Sequence, residues 1–212
     1  MAAAPPFPSE PPACWHCGQP TAESHFCPSC RRLQPPGGDY FSYLGLPQKL
    51  GIDLPEMEQR FHSLSRRLHP DVFFQRVETE RQLSVEAAAF LNDAYRTLKN
   101  PLTRAEYLLA LHGIRKNDPR ISGAPLELLE EVFELKTTLD QIRDGDETAQ
   151  PQLVQAREKI QKLLAEADRA LDEGFANWDA TGQRQTLERI AAVLTRRAFL
   201  RKLLEDSGVE PR

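Results

Sequence analysis

The sequence has no long apolar stretch. Its hydrophobic runs are a few residues each, Leu108–Leu109–Ala110–Leu111 being typical. A helix needs roughly 20 apolar residues to cross a bilayer, so no membrane span is expected. A basic excess is also missing: Lys and Arg total 27 against 31 Asp and Glu, a formal net charge of -4. That balance excludes a generic nucleic-acid binder. Residues 1–12 hold no Lys or Arg but do hold Glu10. This matches neither a secretory signal nor a mitochondrial presequence. The expected location is the cytoplasm, or the mitochondrial matrix if a presequence has been removed. Internal repeats and alternating strand patterns are absent too, which leaves helices.

What is present can build a core. The 212 residues are 40% hydrophobic and 27% charged, enough for one ordinary domain or two small ones. Nine of the 17 prolines fall in the first 36 residues. Residues 1–12 read as a Pro-rich tail, residues 13–36 as a separate small segment, and the Pro35–Pro36–Gly37–Gly38 stretch as a linker. Everything after Asp39 has helical periodicity.

All four cysteines lie in that small segment, as Cys14–Trp15–His16–Cys17 and Cys27–Pro28–Ser29–Cys30. Two Cys-x-x-Cys turns supply the four soft ligands of a tetrahedral site, and Gly18 suits the tight turn that aims backbone amides at the sulfurs. So short a segment cannot build a hydrophobic core, so metal binding would drive its folding. Structural zinc is the expected occupant; iron in the same tetrahedron and a pair of disulfides are the alternatives. Four thiolates fill the site, so His16 and His25 are expected at the surface and no catalysis is assigned.

In residues 39–113, Asp39 caps a short aromatic helix that stops at Gly45. Asp53, with Glu56 as its capping-box partner, opens a second helix. Leu54, Met57, Phe61, Leu64 and Leu68 form its inner stripe, while Arg66 lies opposite and Arg60 and Arg67 share a flank. Pro70 ends the helix at His69–Pro70–Asp71, and Val72, Phe73 and Phe74 read as loop. A capping box of Thr79 and Gln82 is expected to start a long helix with Leu83, Ala87, Phe90, Leu91, Ala94 and Leu98 inward. Asn100–Pro101 breaks it and begins another that closes at Gly113.

Two antiparallel helices with His-Pro-Asp at the joining turn resemble a J-domain, the module that stimulates ATP hydrolysis by DnaK-type chaperones. The Asp39–Tyr40–Phe41 opening and the stretch from Leu91 to Leu98 are also similar to that family. The resemblance implies that His69, Pro70 and Asp71 contact the chaperone, with Arg60, Arg66 and Arg67 facing its acidic surface.

Residues 125–207 read as an antiparallel three-helix bundle. Its stripes are Leu128, Val132, Leu135, Leu139 and Ile142; then Leu153, Ala156, Ile160, Leu163, Ala167 and Leu171, with a break at Gly174 and Trp178 in a connector; then Leu187, Ile190, Leu194 and Ala198. Leu126, Leu129 and Phe133 form a second stripe on the first helix, roughly 100–160° from the core line. They either pack on the J-like block or stay exposed as a binding patch. Phe199 is similarly off its own core line.

The order of parts, a tetracysteine segment, a J-like block and a helical bundle, resembles the HscB family of J-type co-chaperones for iron–sulfur cluster assembly. The motifs Pro101–Leu102–Thr103–Arg104–Ala105–Glu106–Tyr107 and Leu111–His112–Gly113 add to the likeness. The fold it implies is all-α: a J-domain helical hairpin, then an antiparallel three-helix bundle, with a small N-terminal zinc-binding segment. It implies two partners, a DnaK-type (HscA-like) chaperone and an IscU-type iron–sulfur scaffold protein. The scaffold would be held by Leu126, Leu129, Phe133 and Phe199, with Glu134 nearby. Glu130 stands where the resemblance leads one to expect an apolar side chain. A general J-type co-chaperone for unfolded clients and an iron-binding electron-transfer protein are the competing readings.

Overall fold

A computed structural model describes residues 13–21, 24–115, 133, 137–138 and 150–206. Among these, every regular element is helical apart from two isolated β-bridges, Ala13 with Pro20 and Phe26 with Leu33. The chain divides into two compact units, Met1–Leu111 and His112–Arg212.

The first unit is a helical hairpin with additions. Helix α1 (Tyr40–Tyr43) is capped by Asp39, which accepts from the amides of Phe41 and Ser42, and Ser42 returns the bond in a capping box. The free amide of Tyr40 donates to the Tyr107 hydroxyl at 2.9 Å, and the two tyrosine rings stack at 4.4 Å. The Asp39–Tyr40–Phe41 and Glu106–Tyr107 motifs are thus two halves of one joint. Helix α2 (Leu54–Leu68) begins at Asp53, whose side chain accepts from the Glu56 amide. The Glu56 carboxylate is taken by Arg60, not returned to the cap. Met57, Leu64 and Leu68 are buried, but Leu54, assigned to the stripe, is exposed at the helix's first position.

Helix α3 (Glu78–Lys99) runs back against α2: Phe61 stacks on Tyr95 at 4.2 Å, and the Tyr95 hydroxyl reaches Glu58. Leu83, Ala87, Leu91, Ala94 and Leu98 are buried as expected, with Phe90 partly so. The expected Thr79 cap is not used. The helix starts earlier, after Val77, with no side-chain cap. Glu78 and Glu80 place negative charge in the first turn, where the helix dipole favours it. Helix α4 (Pro101–Leu111) is started by Asn100, whose side-chain carbonyl accepts from the amides of Leu102 and Thr103. Buried Arg104 donates to the Leu98 carbonyl at 2.6 Å and so caps the end of α3.

In the second unit, α5 (Gln150–Thr181) and α6 (Arg184–Asp206) pair antiparallel, joined by a turn at Gly182. Leu153 and Ile160 meet Leu200, Leu203 and Leu204 in one cluster. The expected break at Gly174 does not occur: α5 continues through it, and Trp178 is a buried helical residue, not a connector. A Cβ at Gly174 would sit 3.0 Å from Ile190 Cγ1, so the glycine serves close helix approach and is not a stop. Ala198 is exposed, and the inner line of α6 instead runs through Leu187, Ile190, Ala191, Leu194 and Leu200. The Leu128–Ile142 stripe lies outside the described residues; Phe133, Thr137 and Thr138 are helical.

Candidate functional site

The tetracysteine segment is built from two matching knuckles. The Cys14 amide donates to the Gln19 carbonyl and the Gly18 amide to the Cys14 carbonyl. Thirteen residues on, Cys27 pairs with Arg32 and Arg31 with Cys27 in the same way. Gly18 (φ 70) and Arg31 (φ 59) occupy the equivalent left-handed position after each second cysteine. All four Sγ atoms lie within 4.8 Å of one another. Cys14 to Cys30 is 3.6 Å and Cys17 to Cys27 is 3.7 Å. A disulfide needs about 2.0 Å. The edge of a tetrahedron with metal–sulfur bonds of about 2.3 Å is about 3.8 Å. The four sulfurs therefore fit a single metal ion, and the disulfide alternative does not fit.

The electrostatics agree. Burial pushes the Cys14 thiol up, but the Cys17 and His16 amides and the neighbouring thiols hold it down at about 6. Cys30 accepts from the Arg32 amide, which lowers it, yet burial and the other three cysteines push it up to about 12. Clustered thiols cannot all ionise without a cation, because each thiolate raises the next. Gln34, buried at the base, donates to Cys14 Sγ at 3.4 Å.

The segment is not a loosely tethered module. The Arg32 guanidinium and the Leu33 amide both bind the buried carboxylate of Glu80 in α3. Arg67 in α2 lies over the Phe26 ring at 5.2 Å. His25 is not at the surface but packs edge-on against Tyr43 at 4.5 Å, and burial, aided by Arg67, pushes its pKa down. His16 is exposed.

At the hairpin tip, α2 ends at Leu68 with His69 as its extended cap residue. Pro70 then opens a 3-10 turn, Pro70–Phe73, where a plain loop was expected. Proline at its first position supplies the fixed φ that the turn needs. The Asp71 amide donates to His69 Nδ1 at 3.3 Å. The turn anchors itself by burying Phe73, while the Asp71 side chain is 90% exposed and that of His69 55%. Val72 and Phe74 are exposed beside them. The three arginines differ. Arg60 is held by Glu56 and the Gly45 carbonyl, and Arg67 by Phe26. Arg66 is exposed and makes no bond or ion pair among the described residues.

Of the residues implied for scaffold binding, Phe133 is 73% exposed and Phe199 37%. Phe133 forms one wall of an open depression of ≈ 480 Å³ with Thr137, Gln155, Ala156 and Lys159. Leu126, Leu129 and Glu134 lie outside the described residues. Beside His69, the Asp71 carboxylate lies 3.5 Å from Nδ1.

These features can be set beside known proteins. The mouse iron–sulfur cluster co-chaperone protein HscB is 33% identical over 171 residues, 77% of this chain and 72% of that protein. The human protein of that name is 38% identical over 134 residues, 60% of this chain and 57% of its own length. The HscB homolog of Arabidopsis thaliana is 34% identical over 164 residues, 76% and 62%. The crystal structure of human co-chaperone protein HscB superposes with a TM-score of 0.62 at 30% identity, covering 92% of this chain and 96% of that one. Chaperone HscB from Vibrio cholerae gives 0.59 at 30% identity, covering 80% and 95%. No family model matches. The helical fold and these relatives together define a co-chaperone. The chain belongs to the HscB family of iron–sulfur cluster co-chaperones.

Proposed function

We propose that this chain is an adaptor. It holds an IscU-type scaffold protein on an apolar surface that includes Phe133, Phe199, Leu126 and Leu129, with Glu134 nearby. It presents that scaffold to an HscA-like, DnaK-type chaperone through His69, Pro70 and Asp71, with Arg60, Arg66 and Arg67 facing the chaperone's acidic surface. Contact with the turn stimulates the chaperone's ATP hydrolysis and so favours tight capture of the scaffold and cluster transfer. Joining both partners to one chain raises the effective concentration of each near the other.

The observation that carries this reading is the tip itself. A buried Phe73 and the His69 Nδ1 cap fix a short turn, and that turn leaves the Asp71 carboxylate and much of the His69 ring in water. His69→Gln is expected to fold normally and to abolish stimulation of the chaperone's ATPase, read in a steady-state phosphate-release assay. Normal stimulation by that variant would reject the assignment. Capture of one folded partner from lysate, not many denatured proteins, separates the scaffold-specific reading from a general co-chaperone.

Zinc is the metal we assign to Cys14, Cys17, Cys27 and Cys30. It supplies folding free energy to a segment that buries few side chains of its own. Elemental analysis should return one zinc per chain in a colourless protein; a visible absorption band would instead indicate iron.

A further inference from the structure

We infer that the tetracysteine segment is a clamp that sets the position of the His69–Pro70–Asp71 turn, with Phe26, Arg32 and Glu80 as positioning residues. The inference rests on the chaperone-facing reading of that turn. The segment grips the hairpin on both sides of the turn. Phe26 underlies Arg67, two residues before His69, and Arg32 holds Glu80, nine residues after Asp71. The stretch between these two grips is the chaperone-facing tip.

The second grip is set by the knuckle backbone. The Arg32 carbonyl accepts from the Cys27 amide at 2.9 Å, and the Leu33 carbonyl accepts from the Trp15 indole at 2.7 Å. Arg32 and Leu33 therefore face Glu80 only while both knuckles are folded. Glu80 is 3% exposed, and the Arg32 guanidinium and Leu33 amide are the partners that keep its carboxylate satisfied there. A buried carboxylate without partners is costly, so an unfolded segment leaves Glu80 to turn outward to water. That loosens the first turn of α3, which has no side-chain cap of its own. At the same time Arg67 loses the ring that orients it.

The test uses the full-length, metal-loaded chain. Glu80→Gln removes the charge and keeps the shape; Phe26→Leu removes the ring and keeps an apolar contact; Arg32→Lys is the conservative control. Metal content, scaffold binding, amide hydrogen exchange and chaperone stimulation are measured together. Glu80→Gln and Phe26→Leu should keep one metal per chain and normal scaffold binding. Exchange across residues 67–77 should quicken at least fivefold, and the concentration giving half-maximal stimulation should rise at least threefold, with the maximum little changed. Arg32→Lys should retain most of the wild-type protection. Metal-loaded variants with unchanged exchange and unchanged half-maximal concentration overturn the clamp. Normal stimulation by His69→Gln overturns the underlying reading instead, and the exchange data still decide whether the segment holds the turn.

Discussion

At the scale of single residues, the cysteine spacing was fully legible, because metal coordination dictates ligand type and separation directly. The paired geometry of Gly18 and Arg31 could have been read from the repeated Cys-x-x-Cys frame, with position 31 taking the backbone shape that glycine takes at 18. Arg31 is the non-glycine residue that adopts positive φ among the described residues. An Arg31→Gly substitution is therefore expected to stabilise the segment by about 0.5–1 kcal/mol, and Arg31→Val to destabilise it by about 1–3 kcal/mol. Chelator competition for the metal checks both. The contrast among the arginines was not legible. Helical periodicity places them on faces but does not say that Arg60 is engaged by Glu56 and Gly45 while Arg66 is not. Arg66→Ala should therefore weaken chaperone coupling more than Arg60→Ala does, with the difference shrinking at high salt.

At the scale of elements, capping rules succeeded where the cap is local and failed where a distant contact overrides it. Asp39, Asp53 and Asn100 cap as their neighbours in sequence require. Helix α3 instead begins beside Glu80, whose partners lie 47 and 48 residues away. Gly174 misled for a related reason, because glycine reads as a stop unless the opposing helix is known. Gly174→Val should lower the melting temperature of the second unit, at a cost of about 1–3 kcal/mol for overpacking against Ile190.

His112, in the Leu111–His112–Gly113 motif, packs edge-on against Trp178 at 5.1 Å, and its carbonyl accepts from Arg184. Burial and then Arg184 push its pKa down. The folded state thus takes up its proton at lower pH than the unfolded chain. Its contribution is fully present above the usual histidine range of about 6.5 and is lost as pH falls below that. The pH dependence of melting should therefore differ between wild type and His112→Phe: the wild type loses stability on acidification from pH 7.5 to 5.5 more steeply than the variant does.

At the scale of the whole molecule, the order of parts identified the family more securely than any one helix did. Helical periodicity cannot say which side chains meet between segments far apart in sequence. The tetracysteine segment and the J-like block read as two pieces separated by a linker, yet both lie in one compact unit, tied by side chains that periodicity does not register. Of the second stripe, Phe133 is exposed, and Leu126 and Leu129 lie outside the described residues. Phe133→Ala is expected to weaken scaffold binding by about 1–2 kcal/mol, the usual scale for an apolar hot spot, while leaving the melting temperature unchanged. A lower melting temperature with intact binding would assign the side chain to the core. Calorimetric titration and thermal unfolding separate the two.

The Arg32–Glu80 tie also bears on descent. In a sister lineage that had shed its cysteine knuckles, water would reach position 80 and nothing would favour an acid there over any other polar side chain. Positions 32 and 80 should accordingly have been gained and lost together, so the identity of one residue on the third helix would record whether an ancestor carried the metal.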